Sequence, residues 1–119
     1  MKKYAMYIGR WQNWHKGHEW LINQQLNQGK NVWVAIRDVE QDENNPKTAQ
    51  QILKELSAEP FFMNNFDKIL LSIIPDIESV NYGRGVGYDV IYHEPPADVA
   101  VISGTAIRNG EMNSDGSTT

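Results

Sequence analysis

Residues 4–22 constrain the fold more than any other stretch of the chain. They read Tyr-Ala-Met-Tyr-Ile-Gly-Arg-Trp-Gln-Asn-Trp-His-Lys-Gly-His-Glu-Trp-Leu-Ile. Residues 4–8 are apolar or aromatic and run directly into Gly9, the pattern of a central strand. A helix opens near Gly17 and extends to residue 28, with Leu21, Ile22 and Leu26 at helical spacing and Gly29 as a left-handed stop. A helix start has four backbone N–H groups without intrahelical partners and a partial positive charge, so an anion is favoured there. His15 and His18 flank Gly17 and can point at one bound group.

The rest of the chain reads as a continuation of that unit. Residues 32–36 form a second buried strand, so strand, helix and strand make a parallel crossover whose ligand lies at the carboxyl ends of the strands. Residues 37–45 are acidic and without periodicity, as in a mobile loop. Pro46 opens a helix reaching Leu56, with Ala49, Ile52, Leu53 and Leu56 on its apolar face. After Pro60, residues Phe61, Phe62 and Phe66 belong to a short helix that packs on the core. Residues 68–74 make a third strand, 88–92 its partner, and 99–102 a last short strand that delivers Ser103. Between them Gly83, Gly85 and Gly87 lack the spacing of a dinucleotide fingerprint and mark irregular backbone. At 119 residues the chain is long enough for one core and too short for two. The expected fold is α/β: a single compact Rossmann-like domain over 1–109, its mostly parallel central sheet flanked by helices, with a disordered tail at 110–119.

Composition removes several classes of function. The net charge of −4 opposes a general nucleic-acid binder, which needs excess Lys and Arg against phosphates. Without cysteine there is no disulfide, thiolate metal site or cysteine nucleophile. No apolar run has the length of a membrane span, and Gly9 and Arg10 break the stretch that follows the basic start, so a cytoplasmic protein is expected. A zinc pair at His15 and His18 lacks a neighbouring third ligand, since His93 would have to come from a distant strand.

Gly9-Arg10-Trp11-Gln12-Asn13-Trp14-His15-Lys16-Gly17-His18 resembles the Gly-Arg-Phe-x-Pro-Phe-His-x-Gly-His signature of the cytidylyltransferase-like nucleotidyltransferases. That superfamily includes the nicotinamide mononucleotide adenylyltransferases. Ile102-Ser103-Gly104-Thr105-Ala106-Ile107-Arg108 looks like its Ser-x-Thr-x-x-Arg motif, in the right order along the chain. The resemblance implies that His15, His18 and Arg108 are catalytic. It also implies that Gly9, Arg10, Trp11, Lys16, Gly17, Ser103, Gly104 and Thr105 bind the nucleotide. Asn13 stands where the family has proline. Asn45-Pro46-Lys47-Thr48-Ala49 resembles the helix start of the archaeal-type enzymes, but Gln51 and Ile52 stand where glutamate and arginine are expected.

The chemistry implied is nucleotidyl transfer from a nucleoside triphosphate to a small phosphorylated acceptor. Adenylyl transfer to nicotinamide mononucleotide leads, cytidylyl transfer to a phosphorylated alcohol follows, and a non-catalytic nucleotide sensor is the rival from another class. The nucleophile is already anionic, so catalysis falls to positioning and charge stabilisation. Imidazole suits that task, because a modest shift makes it cationic at neutral pH. Mg2+ is inferred from the polyphosphate, bound through its oxygens, with no dedicated protein metal site. Neither nucleic acid nor membrane is expected as a partner, and the subunit count, homo-oligomer included, stays open.

Simpler roles exist for the same residues. One histidine can cap the helix while the other faces water, and Ser103 can cap a helix bearing Thr105 and a solvated Arg108. Trp11 and Trp14 can pack or stack, Lys16 can face water, and Arg84 and Asp38 carry little beyond exposure.

Overall fold

A computed structural model of the protein describes residues 1–102. Strands β1 (Tyr4–Gly9), β2 (Asn31–Asp38) and β3 (Ile69–Pro75) form one parallel sheet in the order β1-β2-β3. Tyr4 pairs with Asn31 and Gly9 with Ile36 on one side, and Val32 with Ile69 and Asp38 with Pro75 on the other. As the central strand, β2 turns Val32, Val34 and Ile36 toward the helices, where they are fully buried; Ala35 on the opposite face is buried too, while its face neighbours Met6 and Leu70 are 42% exposed. The helices α1 (Lys16–Leu26), α2 (Ala49–Ala58), α3 (Pro60–Met63) and α4 (Ala97–Ala100) complete the described α/β unit.

The core is built where the helices meet β2. Ile22 of α1, Ile52 and Leu56 of α2 and Phe62 of α3 pack with Val32, Val34 and Ile36 in one cluster. Each fully buried aliphatic side chain there contributes about 1.5–3 kcal/mol. Tyr7 and Trp11 extend the cluster toward the carboxyl end of β1, and the Tyr7 hydroxyl donates to the Leu21 carbonyl at 2.8 Å. Gly29 closes α1 with φ +74, as its sequence position predicts.

Several expectations are corrected. The helix α2 starts at Ala49 rather than at Pro46, because Thr48 supplies the cap: its hydroxyl accepts from the Gln51 N–H while the Gln51 side chain accepts from the Thr48 N–H. Arg37 and Asp38 belong to β2 instead of a loop, and Arg37 is anchored to Asp76 at 2.8 Å. Phe66 follows α3 and is 79% exposed, so it leaves the core to Phe62. Residues 88–92 form no strand. They lie between the positive-φ glycines 85 and 87 and Pro95-Pro96, which cannot donate to a ladder. Residues 99–102 also form no strand, since the Pro96 carbonyl accepts from Val99 and Ala100 and starts α4. Ser103, Gly104, Thr105 and Arg108, and the tail at 110–119, lie outside the described residues.

Candidate functional site

At the carboxyl end of β1 the chain turns through Arg10, Trp11, Gln12, Asn13 and Trp14 into α1. Trp11 has φ 56, a backbone region that a bulky side chain rarely occupies. It is held there by burial and by its indole N–H, which donates to the Ala35 carbonyl at 3.0 Å. Gly9 is required for the same reason: a Cβ at that position would sit 2.8 Å from the Trp11 ring.

His15 is the N-cap of α1 and His18 its third residue. The His18 N–H donates to His15 Nδ1 and the His15 N–H donates to His18 Nδ1, each at 3.3 Å. The two rings stack with centroids 3.7 Å apart and planes within 16°. Because both Nδ1 atoms accept from backbone, a neutral ring must carry its proton on Nε2, and both imidazoles become Nε2–H donors. Gly17 makes room for this pair, since a Cβ there would lie 2.9 Å from the His15 ring.

Their surroundings are aromatic. The Trp11 ring meets His18 edge-on at 5.0 Å, Trp14 lies 5.1 Å from it, and Trp14 in turn packs on Phe61 and Phe62. Burial pushes the His18 imidazole down to about 3, with the neighbouring His15 charge acting in the same direction. Burial lowers His15 as well. The shift runs opposite to the expected one: burial favours the neutral form of both rings, and the aromatic groups packed on His18 are Trp11 and Trp14.

The remaining sequence candidates divide by what they touch. The Arg10 guanidinium donates to Asn45 Oδ1 at 3.2 Å, and Gln12 both donates to the Lys47 carbonyl and accepts its N–H. The loops after β1 and β2 are thereby tied together, bringing the Asn45-Pro46-Lys47 segment beside the first motif. Asp42 accepts from the Asn45 N–H and from that of Asn44, and these bonds hold its carboxyl below the ordinary range. Lys16 is exposed and paired with Glu19 at 3.1 Å, while Glu19 also accepts from the Trp14 indole. Arg84 sits in an exposed stretch away from these groups.

A cleft of about 620 Å³ opens from the imidazoles along β1 and α1, closed on its far side by residues between 89 and 102. Ile102, which begins the second motif, lines it, and a Cβ on Gly17 would lie 3.8 Å from the Ile102 Cβ. The end of the first motif and the start of the second are therefore neighbours. Two further cleft residues lie outside both motifs. His93 stacks on Tyr7 at 6.3 Å, and Gln25 is buried with its Oε1 unpartnered among the described residues. Only the spacing of Gln25, seven residues after His18 on one helix face, hints at it. Burial pushes the Tyr7 hydroxyl up to about 12, so it stays a donor. Among the described residues no cluster of three His, Asp or Glu is placed to hold a metal, and no helix is long and apolar enough to cross a membrane. Compared with protein-family models, with curated proteins and with solved structures, the chain matches none.

Proposed function

We propose that the protein is a nucleotidyltransferase with a Rossmann-like domain, acting in the cytoplasm. It binds a nucleoside triphosphate with magnesium, and an oxygen of a phosphate-bearing acceptor attacks the α-phosphorus. The bond from that phosphorus to the oxygen bridging to the β-phosphate breaks, and pyrophosphate leaves with the electron pair. Adenylyl transfer to nicotinamide mononucleotide is the leading pair, on the form of the Ser-Gly-Thr-Ala-Ile-Arg motif.

The observation that carries this is the stacked His15–His18 pair at the start of α1, 3.7 Å between centroids, with both Nδ1 atoms spent on backbone. Two parallel Nε2–H donors at a helix N-terminus match the oxygens of a phosphate, and they are fixed before the ligand arrives. As negative charge grows on those oxygens, the donors stabilise it without reorganising. A bound polyphosphate also favours the protonated rings, which reverses the effect of burial. Arg108 is assigned to the triphosphate through the resemblance, and the approach of Ile102 to Gly17 supports a shared site. Magnesium supplies charge neutralisation from the substrate side, and no step is routed through a protein-held metal.

A nucleotide sensor without turnover is the second reading, and one observation favours it. Ile52, standing where an arginine is expected, is fully buried in the core, and Gln51 is spent on the helix cap. Pyrophosphate release with each nucleoside triphosphate against phosphorylated acceptors separates the two. Release with one donor and acceptor pair supports the enzyme; tight triphosphate binding with no release under any pairing supports the sensor.

A further inference from the structure

We infer that β3 pairs in solution with β3 of a second copy of this chain, antiparallel about a two-fold axis at Ser72, so that both copies share one continuous sheet. The strand's own sequence is the first observation. Ile69-Leu70-Leu71-Ser72-Ile73-Ile74 is apolar on both faces, the pattern of a strand with neighbours on each side, yet β3 ends the order β1-β2-β3. None of its residues is fully buried, whereas Val32, Val34, Ala35 and Ile36 of β2 are. Leu70 is 42% exposed, and Phe66 and Met63, which precede the strand, are 79% and 59% exposed. Edge strands of monomers are blunted by charge, bulges or proline. β3 keeps an unbroken register with β2 and has proline only at its end, Pro75. The opposite edge, β1, already faces the cleft and residues 89–102.

The backbone of β3 selects a second copy as the occupant. The Lys68 carbonyl accepts from Val32 in β2, so by the alternation of a strand Leu70, Ser72 and Ile74 also address β2, while Ile69, Leu71 and Ile73 face outward. An axis at Ser72 sets Leu71 opposite Ile73 of the second copy, and each such pair exchanges both of its hydrogen bonds. The next outward positions, Ile69 and Pro75, then face each other. The Ile69 N–H is spent on the Asn65 carbonyl at 3.0 Å and proline has none, so the ladder ends without a stranded donor. Moving the axis to Leu71 or Ile73 sets a free carbonyl against one of these two residues, which have no hydrogen to give. Side chains agree with the register. Ser72, the smallest in the strand, lies where facing Cα atoms approach to about 4.5 Å, and its hydroxyl is held by the Trp33 indole at 2.7 Å. Leu70 meets Ile74 of the second copy on the open face. Beyond the ladder Lys68 faces Asp76 of the second copy, opposite charges at both ends. Because β2 separates β3 from β1, the site at the start of α1 stays open in both copies.

The experiment is sedimentation of the full chain across the micromolar range. The wild type shows a monomer–dimer equilibrium. Leu70→Lys with Ile74→Lys sets like charges opposite each other and weakens the dimer about tenfold or more, whereas Leu70→Lys with Ile74→Glu sets opposite charges there and recovers it. A wild type that stays monomeric at every concentration overturns the inference, as does a dimer indifferent to both variants. A second measurement stands even if the lysine variant does not fold. The chain has no cysteine, so Ser72→Cys introduces a single thiol that meets its own copy at a separation a disulfide spans. It cross-links with diamide, and Leu70→Cys, offset from its copy along the ladder, does not. Equal cross-linking of the two, or none, overturns the pairing.

Discussion

Helices α1 and α2 open with the same reciprocal arrangement and different chemistry. At α2, Thr48 and Gln51 exchange side-chain and backbone hydrogen bonds at 3.2 and 2.8 Å on the exposed surface. At α1, His15 and His18 make the same two bonds at 3.3 Å each, with His15 only 8% exposed and stacked on His18, which in turn packs against Trp11 and Trp14. The α2 arrangement is sufficient to start a helix. Two enclosed imidazoles, one buried and one partly so, do the same task with longer bonds and with a desolvation cost on every proton they take up, so capping alone does not account for them. A local rule broken at a helix start that faces a cleft marks function rather than stability.

Moving the α2 residues into α1 sharpens that contrast and carries the largest expected effect. His15→Thr combined with His18→Gln retains the reciprocal cap, so the thermal midpoint holds or rises. Turnover falls about a hundredfold or more, as for loss of preorganised donors. Loss of the midpoint together with turnover would return the histidines to a structural role.

Acid separates the two helix starts next. Both histidines titrate below the ordinary value of 6.5 when folded, and His18 only at about 3. The unfolded chain therefore binds more protons below pH 6.5, and stability is lost as pH falls from there toward the folded values. Once the unfolded chain is protonated, the slope from His18 approaches about 1.4 kcal/mol per pH unit, and His15 adds to it in the same direction. Denaturant titrations between pH 7 and 4 read it directly, and the double variant lacks this component. The smallest effect belongs to the other cap: Thr48→Ala costs about 1 kcal/mol in the same titration and leaves turnover unchanged.

Local pattern made much of this legible in the sequence. The strand before Gly9, the helix ended by Gly29 and the apolar face of Ala49, Ile52 and Leu56 follow from periodicity and stop residues, and each is present. Residues 88–92 carry strand-forming side chains, yet a strand exists only where a neighbour accepts its hydrogen bonds, and propensity says nothing of that neighbour. Pro46 is an acceptable first helical residue, but Thr48 outcompetes it by capping. At the site, the nearness of His15 to His18 could be read from their spacing. Their neutral state could not, because it depends on how Trp11 and Trp14 fold back onto His18 and on Phe62, from a distant segment, packing behind Trp14. Gln25 was hidden for the same reason: a polar residue on an otherwise apolar helix face looks solvated until the sheet and the residues beyond 89 enclose it.

The most direct test of the phosphate assignment is the nitrogen-15 resonance of the two imidazoles, followed with and without a magnesium nucleoside triphosphate at pH 7. The account predicts neutral rings with the proton on Nε2 in the free protein, and a shift of both Nε2 resonances toward the protonated form on binding. Binding that leaves both rings unchanged, or free rings with the proton on Nδ1, would contradict it.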